Sequence, residues 1–147
     1  MAAGVDVVAR ASFDDVTAHL NKRDKTLLTG HSLGGAVAAI LALYLIDDGY
    51  QVGRVVTFGQ PRFTTTLGVK SRPLQALKRV LTRVVDENDL VPMLPPESRR
   101  SDQYGPYEHI GREIILLQGP YYVDLPNHVA APLSIDDSWR SLATGKL

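Results

Sequence analysis

Apolar residues recur along the start of the chain at Val5, Ala9, Phe13, Val16 and Leu20, at steps of four, four, three and four. That spacing holds them on one side of a helix, which ends where residues 21–25 turn polar. Thr26, Leu27, Leu28 and Thr29 form a short apolar run closed by Gly30, and predict a buried strand. Residues 32–47 read differently: Ala36, Val37, Ala38, Ala39, Ile40, Leu41, Leu43 and Leu45 leave almost no polar side. A helix that is apolar all round is enclosed by other elements. Its first turn, with Gly34, Gly35 and Ala36, permits close approach to a strand, and Gly49 is a plausible stop.

Further on, Arg54-Val55-Val56-Thr57-Phe58 predicts a second strand closed by Gly59, followed by a loop holding Pro61. Pro73 with Leu74, Leu77 and Leu81 predicts a short helix, and residues 83–86 a third strand. Residues 113–117 and 121–123 flank Gly119-Pro120, the pattern of a hairpin. Ser134, with Asp137 three residues on, predicts the cap of a last helix. Strands alternating with helices argue for an α/β fold with a mostly parallel sheet. No repeat, linker or low-complexity tract interrupts the pattern, so residues 1–147 read as one domain.

Composition changes this picture little. The 147 residues are 44% apolar and 22% charged, ordinary for a globular domain with a real core. Lys plus Arg and Asp plus Glu are equal at 16 each, so no net field draws nucleic acid, and none is expected as a partner. The absence of cysteine removes disulfides, thiolate metal sites and cysteine nucleophiles together. Residues 1–6 have neither the basic start nor the apolar run of a signal peptide. The longest apolar stretch, residues 36–46, is about half of what a membrane span needs. With no H-E-x-x-H and no phosphate-binding loop, no cofactor or metal is expected. The compartment is not legible.

Candidate chemistry changes it most. Gly30-His31-Ser32-Leu33-Gly34 fits G-x-S-x-G, and it stands between an apolar strand and an enclosed helix, where a nucleophile elbow belongs. Such an elbow predicts the α/β-hydrolase fold. The turn is sharp, so Gly30 and Gly34 are expected to make room where a Cβ would clash. The helix N-terminus would aim its dipole at Ser32, and the amide of Leu33 would donate to an oxyanion. The plain alternative is a glycine-rich turn in which Ser32 only caps the helix.

Hydrolases of this fold place the acid and then the histidine downstream. Asp86, Glu87 and Asp89 follow the third strand, at an end of the sheet where such folds gather their sites. Among the histidines, His19 precedes the nucleophile and His31 is expected to point away from it. His109 and His128 remain, and His128 is favoured because the last loop of the sheet can swing over Ser32. Asp102 and Asp124, with Arg99 and Arg100, read as solvated loop charges.

Several segments in order resemble one family. Thr29-Gly30-His31-Ser32-Leu33-Gly34-Gly35-Ala36 is similar to the elbow of class 3 lipases, the fungal-type triacylglycerol lipases. Val55 to Arg62 resembles their next strand with its "FGxPR" loop, and Asn88-Asp89-Leu90-Val91-Pro92 with Leu94-Pro95-Pro96 resembles their "NDxVPxLPP" segment. Tyr107, His109, Gly111 and Glu113 match "YxHxGxE". The resemblance implies Asp89 as the triad acid, His109 as a structural histidine and His128, after Asn127, as the catalytic one. It implies a three-layer α/β-hydrolase with a mostly parallel central sheet, and an ester or acylglycerol substrate met at a transient lipid interface.

Nothing before Ser32 matches the family's "RGT"-like turn, which supplies the second oxyanion donor and precedes the lid. The fold is therefore expected to be short at its N-terminal end. The expected activity is carboxylic-ester hydrolysis through an acyl-enzyme, by Ser32, Asp89 and His128. The alternative is a catalytically weak or inactive module lacking one oxyanion donor. A sheet without upstream strands would also leave an open edge, which predicts a homodimer.

Overall fold

The computed structural model describes residues 3–65, 71–95, 106–117 and 122–125. Its centre is helix α2 (Leu33–Asp47), with Gly35, Ala36, Ala38, Ala39, Ile40, Leu41, Ala42, Leu43 and Leu45 buried. Burial on every side follows from its position. One side packs on strands β1 (Lys25–His31) and β2 (Gln51–Phe58), and the others meet α1 (Ala3–Thr17) and α3 (Arg72–Val80). Gly35, Ala36, Ala38 and Ala39, all buried, let this helix sit close to the strands; Ile40 and Leu45, fully buried, fill the remaining volume.

The sheet runs β1-β2-β4-β6-β7, with β4 at Leu81–Asp86, β6 at Arg112–Leu116 and β7 at Tyr122–Leu125. The first four are parallel and β7 is antiparallel to β6, as the expected hairpin requires. The β1–β2 register shifts between Thr26 and Leu27, leaving Gly53 out of the pairing. Thr64–Thr65 (β3) and Tyr107–Glu108 (β5) form a small separate antiparallel ladder, too short to have shown in the hydrophobic pattern. Alternation in β4 buries Leu81, Arg83 and Val85 on one face.

The α1–α2 joint is polar at its rim. The Tyr44 hydroxyl donates to Asp6, Phe13 meets the Tyr44 ring edge-on, and the Arg10 guanidinium lies 4.7 Å from its centre. Burial, then the Asp6 carboxylate, pushes the Tyr44 phenol up to about 12.

The α/β-hydrolase architecture stands, with local corrections. Leu81, expected on the short helix, opens β4, because α3 ends at Val80 and the chain turns extended there. Asp124, expected in a loop, lies in β7 opposite Ile114. Strand β1 runs on through Gly30 and His31, and α2 begins one residue after Ser32. The last helix expected after Ser134 lies outside the described residues.

Candidate active site

Strand β1 and helix α2 meet at an abrupt reversal, and the glycines show how little room it has. A Cβ on Gly30 would overlap the Gly34 carbonyl and stand 2.8 Å from the Gly35 nitrogen. One on Gly35 would stand 3.1 Å from the Gly30 oxygen and 3.2 and 3.3 Å from the Cβ atoms of Gln60 and Thr57. Gly34 differs from expectation, because the space where its Cβ would sit is open. The clash belongs to Gly30, which meets the Gly34 backbone.

Ser32 stands at the reversal with φ 52° and ψ −127°, the one described non-glycine residue in the left-handed half of the map. Such a conformation costs about 1–3 kcal/mol and persists only where its surroundings over-determine it. Here the Ser32 amide donates to the Phe58 carbonyl at 2.8 Å, and the Ser32 carbonyl accepts from the Gly35 amide at 2.9 Å. The hydroxyl makes no capping bond to the helix, so the reading of Ser32 as a mere cap fails. Leu33, as the first helical residue, has an amide with no partner inside the helix.

Asp89 reaches the same place from β4. The turn after that strand is built by Asp86: its carbonyl accepts from the Asp89 amide at 3.0 Å and its Oδ1 from the Asn88 amide at 2.9 Å. Asp89 Oδ1 accepts from the Val91 amide at 2.9 Å. Asp89 Oδ2 faces Gly59, where φ is +55° and a Cβ would collide with that oxygen. Gly59 also donates its amide to Val84 at 2.9 Å. Residues 58 and 59 therefore touch Ser32 on one side and Asp89 on the other. His31, expected to point away, has its Nε2 3.8 Å from where a Gly59 Cβ would be, so it borders the same space as Asp89. His128 lies outside the described residues.

Behind Asp89 lies a polar hub. Arg83, 4% exposed, donates from Nε to the Ile110 carbonyl at 3.1 Å and pairs through Nη2 with Glu113 at 2.9 Å. Burial lowers its pKa, and Glu113 opposes that shift. His109 Nε2 lies 2.7 Å from the Pro92 carbonyl. A carbonyl only accepts, so Nε2 carries the proton. Burial first, then the Arg83 and Arg62 charges, push this imidazole down to about 3, against the Pro92 bond. His109 is thus held neutral and engaged, unsuited to act as a general base near neutral pH.

Residues 3–99 match the family model for lipase (class 3). The chain belongs to the class 3 lipase family. Its matching relatives include Lipase ZK262.3 of Caenorhabditis elegans, 42% identical over 71 residues, 46% of this chain and 20% of that protein. Secreted mono- and diacylglycerol lipase 1 of Fusarium solani is 40% identical over 76 residues, 52% of this chain and 22% of that protein. This class 3 lipase chain spans about a fifth of the length of these curated relatives. Its fold is similar to that of lipase II from Rhizopus niveus, with a TM-score of 0.61 at 22% identity, covering 97% of this chain and 52% of that one.

Within the class 3 lipase elbow, the two glycines should respond oppositely. Gly30→Ala forces backbone apart and should lower stability by several kcal/mol, about 3 or more. Gly34→Ala should be neutral or stabilising by about 0.4–1 kcal/mol, and urea unfolding of both variants checks the contrast. Acid stability carries the signature of His109. Its folded pKa lies below the unfolded value, so its contribution is full above about pH 6.5 and is lost as pH falls towards 3, at a slope approaching about 1.4 kcal/mol per pH unit. His109→Gln should flatten that limb relative to wild type, read as unfolding free energy against pH.

Proposed function

We propose that this chain carries the nucleophile and acid of a carboxylic-ester hydrolase. The observation that carries the reading is Ser32: an uncapped hydroxyl on a strained residue at a strand-to-helix reversal, with Asp89 across the Phe58–Gly59 bend. Ser32 Oγ attacks the ester carbonyl and its proton passes to His128. Asp89 orients that imidazole and stabilises its charged form, and the Leu33 amide donates to the oxyanion. His128 returns the proton to the leaving alcohol, and water resolves the acyl-serine by the same steps.

An acylglycerol substrate is supported by the relatives' names, such as the mono- and diacylglycerol lipase of Fusarium solani. It is also supported by apolar side chains exposed around this end of the sheet, namely Leu33, Phe58, Leu90, Met93 and Leu94. They suit an acyl chain or a transient lipid interface. No described helix is long and apolar enough to cross a membrane.

A second reading, a weak or inactive module, is favoured by one observation: among the described residues β1 is an edge strand, with no strand beyond it to carry a second oxyanion donor. Removing one such donor typically costs about 10²–10³ in rate. Hydrolysis of p-nitrophenyl butyrate and laurate distinguishes the two. The first reading expects turnover that Ser32→Ala abolishes, and a folded, inert wild-type chain supports the second. The same edge, where Leu27 is 73% exposed, invites strand pairing with a second copy. Sedimentation should show a dimer, and a monomer at all concentrations would remove that idea.

A further inference from the structure

The loop carrying Asp89 poses a mechanical problem. Leu90, Met93 and Leu94 are exposed, and of residues 90–94 only Pro92 is buried, so apolar packing does little to hold the segment. Its internal bonds make it a stiff unit: Met93 donates its amide to Leu90 and Leu94 to Val91, both at 3.0 Å, while Val91 donates to the Asp89 carboxylate. A stiff unit still has to be fixed to the sheet.

Four consecutive carbonyls do this. Pro92 accepts from His109 Nε2 at 2.7 Å, and Met93 from Arg62 Nη1 at 2.7 Å. Leu94 accepts from the Arg62 amide at 2.7 Å, and Pro95 from Arg62 Nη1 at 3.0 Å. Two residues thus hold every carbonyl from 92 to 95. Arg62 lies three residues after Gly59, so a single loop both makes room for Asp89 Oδ2 and grips the segment that delivers it. His109 is fixed in turn from behind. Arg83 holds the Ile110 carbonyl, and Gly111, at φ +88°, packs against Leu81 so closely that a Cβ would stand 2.6 Å from its carbonyl oxygen.

We infer that Arg62 and His109 are positioning residues that set the Asp89 carboxylate against the Ser32 elbow by clamping the carbonyls of residues 92–95. The inference rests on the proposed role of Asp89. They touch no reacting atom. They act through Asp89, so their effect on the reaction disappears once that carboxylate is gone.

The test is a double-mutant cycle on the whole chain with Arg62→Ala, Asp89→Asn and both. Two readouts are taken: the rate of phosphonylation by a p-nitrophenyl alkylphosphonate, and hydrogen exchange of the Val91 amide by NMR. Arg62→Ala should slow phosphonylation on the order of 10²-fold, the cost of a misplacement near 1 Å. In the Asp89→Asn background it should add little, since coupled residues are not additive. The Val91 amide should exchange faster in Arg62→Ala than in wild type. His109→Ala should lose rate likewise, and His109→Gln, whose amide can still donate to Pro92, should recover most of it. Additive losses in the cycle, or Val91 exchange unchanged in folded Arg62→Ala and His109→Ala, overturn the clamp. A wild-type chain that is never phosphonylated refutes the proposed nucleophile instead. Val91 exchange then decides alone, acceleration in either alanine variant upholding the clamp.

Discussion

The Gly30 backbone lies against Gly34 and Gly35, and much of the molecule is arranged around that approach. It lets β1 turn into α2 without an intervening loop, which forces Ser32 into a backbone conformation that residues with a side chain avoid. The strain persists because both flanks are held by packing and hydrogen bonding. On one, α2 is buried all round, with Ile40 and Leu45 fully enclosed, so it cannot tilt to relax the turn. On the other, the Ser32 amide is pinned to Phe58 in the neighbouring strand. The dense core and the exposed reversal are therefore one construction.

The same economy appears one strand further along. Gly59 follows Phe58 with a positive φ and opens space for the Asp89 carboxylate, whose loop is held by Arg62 and His109. A polar hold has a consequence that apolar packing would not. It leaves Leu90, Met93 and Leu94 outward while the backbone beneath them is fixed. The loop can then present apolar surface outward and still keep its carboxylate in register.

Much of this was legible in residue order because it rests on local patterns. The apolar circumference of residues 36–45 announced an enclosed helix, G-x-S-x-G between strand and helix announced the reversal, and Gly119-Pro120 between apolar runs announced the hairpin. What was misread depends on distances between segments. Gly30 and Gly34 were both expected to need their smallness; Gly30 does, but the Cβ position of Gly34 is open, since the helix axis decides which residue faces the strand. Leu81 fitted the helical spacing of Leu74 and Leu77, but β4 claims it. His31, the variable residue of the elbow, was expected only to point away from Ser32, and its nearness to Gly59 was not foreseen. With the strand continuing to His31, that side chain comes over Gly59. Arg62 had no signal of its own beyond its place in a motif, because its partners lie some thirty residues on.

The hub behind Asp89 also explains why a histidine is tolerated there. Burial disfavours a protonated imidazole there, and the Arg83 and Arg62 charges add to that penalty, so His109 stays neutral and donates a single bond of fixed sense to Pro92. Arg83 keeps its charge because Glu113 lies 2.9 Å away and the Ile110 carbonyl accepts a hydrogen bond from its Nε. His109 thus holds one protonation state through the neutral range. Its bond to Pro92, which anchors the loop, therefore does not titrate in the neutral range. A titrating histidine at His109 would couple the position of Asp89 to pH, so lowering its pKa separates the support of the carboxylate from the proton transfers proposed for His128.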